Sequence, residues 1–381
     1  MKQKMIGYDA KRIVRNATGL GSYGRTLIND LAPLMPDTEL RLYAPDAGRD
    51  ELREQILPRE NVSFSHPRLH CRLQRDMWRM YGVVNNLKRD GVRIYHGLSG
   101  ELPCGLSKAG IPGVVTVHDL IFLRHPEFYP PIDVFFYKWK FRQMLREATR
   151  IIAISACTRR DILAYSDFPE DRIDVVYQSC GTRFCRPVSP ESLEEARRQY
   201  RLPAHYILNV GTVEARKNIL LGIRALSQLP DELHLVVVGR QTSYQKQLDA
   251  AIKELGLAQR VHFLQGVPNA LLPAIYRQAE AFVYPSRYEG FGIPIIEAIQ
   301  SGLPVVAAKG SCLEEAGGPD CLYVKPDDVR GMAGALLVAM NTQKTERVRR
   351  SQDYVKRFEN HDVAAQVISV YGWVDPVFRV R

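Results

Sequence analysis

Nowhere does the chain contain a run approaching the ~18 apolar residues that a membrane-spanning helix needs. The opening residues, MKQKMIGYDA, hold two lysines but too few apolar residues for the core of a signal peptide, so a cytoplasmic protein is expected. Cysteine is sparse and unpaired in pattern: seven residues, an odd number with no C-x-x-C, are scattered from Cys71 to Cys321. That spacing excludes a disulfide framework and fits buried thiols in a reducing compartment. Zinc-finger, RNP and helix-turn-helix signatures are absent, which argues against a nucleic-acid partner despite a net charge of +10. Short-period repeats and low-complexity tracts are missing as well. What remains is an ordinary globular composition, 45% hydrophobic and 25% charged, in a 381-residue chain long enough for two domains with separate cores.

Short apolar runs alternate with helical stretches along most of the chain, the pattern of parallel βαβ architecture. Strands are expected near Lys4 to Tyr8, Leu40 to Tyr43, Arg93 to His96, Val114 to Val117 and Ile151 to Ile154 in the first half. In the second they are expected at Tyr206 to Val210, His234 to Val238, Val261 to Leu264, Ala281 to Tyr284, Val305 to Ala308 and Leu322 to Val324. Between the halves, residues 185–204 hold three prolines and a polar helical segment, a plausible linker. The strongest feature is YPSRYEGFGIPIIEAIQSG, from Tyr284 to Gly302, where a strand passes through a glycine-bearing loop into a helix. Gly290 and Gly292 allow close backbone approach, Pro294 suits a first helical turn, and Gly302 ends the helix. In a parallel sheet such a junction is the usual anion site, because unpaired N–H groups point at the ligand. Two carboxylates accompany it, Glu289 in the loop and Glu297 in what reads as the first turn. For Glu297 taken alone, complementing the helix dipole is explanation enough.

The whole string EGFGIPIIE, with PS ahead and SGLPVVA behind, resembles the E-x7-E signature of retaining glycosyltransferases of family four. The resemblance implies the GT-B fold: two doubly wound, Rossmann-like α/β domains facing a central cleft, with a nucleoside diphosphate sugar on the second domain and the acceptor on the first. It places Glu289 against the donor sugar, the backbone of Gly290, Phe291, Gly292 and Ile293 at sugar and diphosphate, and Glu297 on the ribose hydroxyls.

Other stretches admit a bland reading beside this one. TGLGSYG, Thr18 to Gly24, is formally G-x-G-x-x-G, with Asp46 about where a dinucleotide-binding carboxylate would lie. Roughly ten residues separate Gly19 from the preceding strand, against the dehydrogenase fingerprint. A loop capping a helix from about Tyr23 to Leu31 explains it, while the resemblance makes Gly19, Leu20 and Gly21 donor contacts. His118-Asp119 closes a strand, where a backbone-satisfied histidine and a helix-capping aspartate suffice; the family's histidine at this place meets the donor sugar. Arg216-Lys217 follows another strand. They read either as solvated charge with Asn218 as helix cap, or as cations offsetting charge on a departing diphosphate. Thr212 stands where many members carry the arginine. Gly266-Val267 resembles the loop that meets the nucleotide base.

These readings combine into a hexosyltransferase with Glu289, Lys217, Arg216 and His118 as its catalytic set. No D-x-D triplet occurs, so neither metal nor other cofactor is expected. HDLIFLRHPEFYP is similar to mannosyltransferase-like members, which makes GDP-mannose the implied donor and a glycan or lipid-linked molecule the acceptor, in cell-surface polysaccharide or glycolipid synthesis. A sugar phosphorylase or a non-catalytic nucleotide-sugar sensor would share the architecture. The expected domains are residues 1–185 and 186–355, with a C-terminal helix, 356–381, returning to the first. Asn360 stands where many members have tryptophan. Residues 1–150 hold 24 Lys and Arg against 16 Asp and Glu, an excess of eight. At ~100° per residue Arg68, Arg72, Arg75 and Arg79 form one stripe on a helix over 68–84, with Leu69, Leu73, Met77, Met80 and Val84 opposite. That stripe is a candidate for peripheral membrane contact, the alternative being a surface helix with its Leu/Met face in the core.

Overall fold

A computed structural model describes residues 4–178, 180, 182–341, 344–358 and 360–379. The chain forms two compact units, residues 1–178 with 360–381, and residues 179–359. The first contains a seven-stranded sheet of β1 (Lys4–Asp9), β2 (Thr38–Tyr43), β3 (Val62–Ser65), β4 (Ile94–Gly97), β5 (Gly113–Val117), β6 (Ala148–Ala153) and β7 (Ile173–Val175). Its order is β3-β2-β1-β4-β5-β6-β7, and every pair is parallel. The second unit's strands are β8 (Tyr206–Val210), β9 (His234–Val238), β10 (Val261–Leu264), β11 (Ala281–Tyr284), β12 (Val305–Ala308) and β13 (Leu322–Val324). They run parallel in the order β10-β9-β8-β11-β12-β13. Helices cover both faces, so central strands such as Leu235-Val236-Val237-Val238 are buried along their length.

Both sheets are doubly wound, and the order reverses between β1 and β4 in the first and between β8 and β11 in the second. Loops leaving the carboxyl ends of such strand pairs diverge and open a crevice. In the first unit the closing helix Asn360–Val374 packs against Gly19–Leu34 through Val367, Ile368 and Tyr371. Tyr371 Oη lies 2.7 Å from His96 Nδ1, and Arg93 pairs with Asp375 at 2.7 Å. The side chain at position 360 lies outside the described residues.

Three sequence expectations are corrected. The glycine-rich run is no loop: Thr18 is extended and the helix already begins at Gly19. Gly21 and Gly24 serve close packing, since a Cβ on Gly21 would stand 1.8 Å from the Asn16 carbonyl oxygen and one on Gly24 2.9 Å from Ile13, whereas a Cβ on Gly19 would meet open space. The four-arginine stripe does not form. Arg72–Met77 is α-helical, Trp78–Gly82 is a π segment and Val83–Asp90 is α-helical again, so the wider turn breaks the 100° register. Arg79 is turned inward onto Asp9 at 2.5 Å and onto Glu101, Arg75 binds Asp46 at 2.9 Å, and only Arg68 and Arg72 stay exposed. Leu73 and Met77 are exposed rather than in the core. Finally, Cys71 and Cys185 are exposed and Cys104 is half-buried, so only four thiols are interior.

Candidate active site

Two strand ends at the reversal point of the second sheet build its charged centre. After β8, Gly211 (φ 155°) passes so close to the next strand that a Cβ on Gly239 would sit 1.9 Å from the Gly211 oxygen. The loop then tightens into a 3-10 turn, Ala215–Lys217, and reverses at Asn218 (φ 53°). Asn218 occupies the N-cap position of the following helix, as expected, but its side chain makes no capping bond; its amide donates to the carbonyls of Pro285 (3.1 Å) and Pro326 (2.8 Å), pinning the loop to its neighbours. Arg216 and Lys217 are thereby aimed at the loop after β11. Lys217 Nζ donates to Glu289 at 2.6 Å and to Tyr284 Oη at 2.8 Å. Arg216 donates to the other Glu289 oxygen at 2.8 Å, to the Tyr288 carbonyl at 2.7 Å and to Glu214 at 2.6 Å.

All three groups are largely withdrawn from water. Burial alone would raise the Glu289 carboxyl, but the Lys217 ammonium and Arg216 guanidinium outweigh it and hold it at about 2. Lys217 is likewise kept protonated against its own burial by Glu289. The cluster is therefore fully ionised at neutral pH. From beneath, the Cys312 thiol donates to the carbonyls of Glu289 and Phe291, at 3.1 and 2.8 Å. Gly292 adopts φ 120° against Leu313 and Ala316, where a side chain would be both strained and crowded. Phe291 turns its ring into the interior against Phe358, leaving its backbone as the part that can meet a ligand.

Glu297 sits apart from this cluster. It is the fifth residue of the helix Ile293–Gln300, past the first turn, so the expected dipole role does not apply. Its carboxylate accepts from Tyr276 Oη at 3.0 Å and from Arg183 at 3.3 Å. Burial raises its pKa, opposed by Arg183 and by the Tyr276 hydrogen bond. The two glutamates are joined by an aromatic stack: Tyr276 on Phe282 at 5.5 Å and Phe282 on Tyr284 at 5.7 Å. Each outer tyrosine holds one glutamate. Sequence reasoning missed this rail and Arg183. The i, i+2 spacing of Phe282 and Tyr284 signals half of it, whereas Tyr276 and Arg183 come from distant segments. Thr212 lies beside this centre in sequence and is half-buried, while Gly266 (φ 67°) and Val267 sit on an outer loop after β10.

In the first unit, β5 delivers His118 to the wall of a cavity of about 250 Å³ that Leu20, Glu101, Tyr129, Tyr137 and Lys140 also line. Both imidazole nitrogens are engaged: Nε2 donates to the Leu98 carbonyl (2.9 Å), so Nδ1 accepts from Gln178 (2.9 Å). Burial and the nearby Arg12 bring His118 down to about 4 despite the Leu98 bond, so the ring is neutral at pH 7. Asp119 accepts from the Ile121 amide at 3.2 Å. Asp46, the possible dinucleotide carboxylate, is instead consumed by Arg15 and Arg75. Glu101 is a junction the sequence did not announce: against its burial, Arg79 and Lys140 hold it at about 2. Gly19, Leu20, Gly21 and His118 thus belong to the first unit and the remaining candidates to the second.

With this geometry in view, comparison with known proteins assigns both units. Glycosyltransferase Family 4 matches residues 18–179, and Glycosyl transferases group 1 matches residues 193–356. The chain belongs to glycosyltransferase family four. Over 369 residues this glycosyltransferase is 28% identical to the O-antigen chain mannosyltransferase B of Escherichia coli, covering 93% of this chain and 96% of that protein. It is 29% identical over 249 residues to the O-antigen chain mannosyltransferase RfbU of Salmonella typhimurium, covering 64% of this chain and 65% of the relative. Among solved structures, Anabaena HepE in complex with UDP and glucose superposes with a TM-score of 0.75 at 19% identity, over 97% of this chain and 99% of that one. At that identity the likeness concerns the fold, which is GT-B. Among the described residues, no helix is long and apolar enough to cross a membrane.

Proposed function

We propose that this glycosyltransferase transfers mannose from GDP-mannose to a hydroxyl of a glycan or lipid-linked acceptor, with retention of anomeric configuration, in cell-surface polysaccharide synthesis. The observation that carries the reading is the buried Glu289–Lys217–Arg216 cluster at the reversal point of the second sheet. Two cations held there neutralise charge developing on a leaving diphosphate without reorganising when the bond breaks. The backbone from Gly290 to Ile293, at the head of a helix, adds N–H donors. Glu289, ionised and fixed at both oxygens, orients the sugar and stabilises the oxocarbenium character of its reacting carbon. Glu297, with spare acceptor capacity beside Tyr276 and Arg183, is assigned to the ribose hydroxyls. Gly19, Leu20, Gly21 and a neutral His118 are the first unit's proposed contributions to donor recognition, with Thr212, Gly266 and Val267 as the second unit's further donor contacts. Mannose is supported by the names of the mannosyltransferase relatives.

A thermal-shift panel of nucleotides and nucleotide sugars tests the donor, and NMR of the product from a mannosyl acceptor tests transfer and anomeric configuration. GDP and GDP-mannose should stabilise the protein. Stabilisation by UDP but not GDP compounds would overturn the donor assignment. Release of sugar 1-phosphate that depends on inorganic phosphate would identify a phosphorylase, and binding without turnover a sensor.

A further inference from the structure

The first unit's helix Pro131–Glu147 is apolar on two opposite sides. At ~100° per residue, Val134, Tyr137, Phe141, Met144 and Leu145 share one arc. Phe141 and Met144 are in the core, and Leu145 packs on it. Ile132, Phe135, Phe136 and Trp139, spaced i, i+3, i+4, i+7, share the opposite arc and are 66%, 68%, 51% and 37% exposed. Four large apolar side chains on one solvent-facing stripe exceed the scattered exposure of an ordinary surface. Toward the helix's C-terminus the same arc continues as Arg146, with Arg142 and Lys138 along one edge. Among the described residues, neither Lys138 nor Arg142 has an ion-pair partner. The helix's own acids do not offset them: Asp133 lies in its first turn, and Glu147 is turned aside to accept from the amides of Gly105 (2.7 Å) and Ser107 (2.9 Å).

We propose that this face docks the protein on a bilayer surface rich in anionic headgroups. Ile132, Phe135, Phe136 and Trp139 enter the interface, where aromatic rings are favoured, while Lys138, Arg142 and Arg146 meet the headgroups. Charge selects this occupant over a second copy of the chain. The first 150 residues carry an excess of eight positive charges, and a copy would set the same basic flank against itself. The face is distinct from the Arg68–Val84 segment, whose inward arginines are already paired. It also has a geometric sequel, which rests on the acceptor reading above. The inner side of this helix supplies Tyr137, Lys140, Phe141 and Met144 to the cavity, so docking brings the cavity wall to the bilayer, where a lipid-linked acceptor is held.

Vesicle sedimentation of the full chain tests docking without requiring any transfer activity. Vesicles of phosphatidylcholine with about a third phosphatidylglycerol should retain the protein at least ~10-fold better than phosphatidylcholine alone, and high salt should reverse this. Phe135→Ser/Trp139→Ser and, separately, Arg142→Glu/Arg146→Glu should each lower partitioning by ~10-fold or more, with the parent's thermal transition and nucleotide-induced shift preserved. The fluorescence blue shift on adding anionic vesicles should vanish in Trp139→Phe. Equal sedimentation of parent and both double variants, equal retention by neutral vesicles, or no retention of the parent overturns the proposal. So does light scattering that finds a dimeric parent and a monomeric Phe135→Ser/Trp139→Ser. Docking that persists while no acceptor is used would refute the acceptor reading alone.

Discussion

Replacing Glu289 with glutamine keeps the side chain's shape but removes the charge that two buried cations share. Neutralising one partner of a buried ion pair costs ~3–5 kcal/mol, because the remaining charges lose their compensation. The pKa gives a similar figure by another route. A carboxyl held at about 2 against an ordinary 4.5 corresponds to ~3 kcal/mol of folded-state stabilisation. Because the folded value is depressed, that stabilisation is fully present above about 4.5 and disappears as pH falls through about 2. Glu289→Gln should therefore lower the second unit's thermal transition by ~6–12 °C at pH 7. The deficit against the parent should shrink steadily below pH 4.5. A bound nucleoside diphosphate should restore part of it, since phosphate charge replaces the missing carboxylate beside Lys217 and Arg216. Turnover should fall ~100-fold or more, while nucleotide binding survives. Differential scanning calorimetry from pH 3 to 8 with and without nucleotide, beside steady-state kinetics, reads all of these. A variant with the parent's stability and near-normal kcat would refute the electrostatic reasoning.

Lys217→Ala should lower kcat ~100-fold or more, and the parent should keep its activity in excess EDTA; complete loss restored by magnesium or manganese would reject cation-assisted departure. Glu297→Gln should raise the donor's Kd ~10-fold with a smaller effect on kcat; isothermal titration with nucleoside diphosphate decides it, and an unchanged Kd would remove Glu297 from the ribose. Arg183→Ala takes away the cation paired with Glu297 at 3.3 Å, so nucleotide affinity should weaken, and an unchanged Kd by isothermal titration would count against the pairing. His118, already neutral with a pKa near 4, should contribute no ionisation to kcat/KM between pH 5.5 and 8; a step that disappears in His118→Asn would show otherwise.

Much of the fold is written into period and punctuation. The second unit's six strands occupy the residues expected of them, because each is a short apolar run bounded by turn residues, and the four inner ones are buried nearly throughout. The two strands that escaped notice, β3 and β7, are the edges of the first sheet. VSFS and IDV are half-solvated there and too short to show alternation. The Arg68–Val84 segment misled for a related reason. A 100° wheel assumes an uninterrupted α-helix, and nothing in WRMYG announces a π turn. Nor does a helical wheel reveal that Asp9 and Glu101, far away in sequence, wait at the reversal point of the sheet to draw Arg79 inward.

The candidate site divides along the same line between local and distant information. Glu289, Gly292 and Glu297 are legible because one strand, loop and helix carry them at fixed spacing. Arg216 and Lys217 are legible as a pair after a strand, but their partner is visible only once β8 and β11 are known to be neighbours. The sequence therefore presents the two glutamates as parts of one motif, whereas the fold gives them opposite electrostatic settings. Glu289 lies between two cations and is driven far below the usual carboxylate range; Glu297, with one partly exposed arginine and a tyrosine, is raised by its burial. Under the proposed roles, a carboxylate beside a developing positive sugar gains from staying ionised throughout turnover. One that only accepts ribose hydroxyls acts through its hydrogen bonds and has no need of a depressed pKa. The different settings of the two carboxylates give a physical reason for expecting Glu289→Gln to act on turnover and Glu297→Gln on binding, although the residues are identical and eight positions apart.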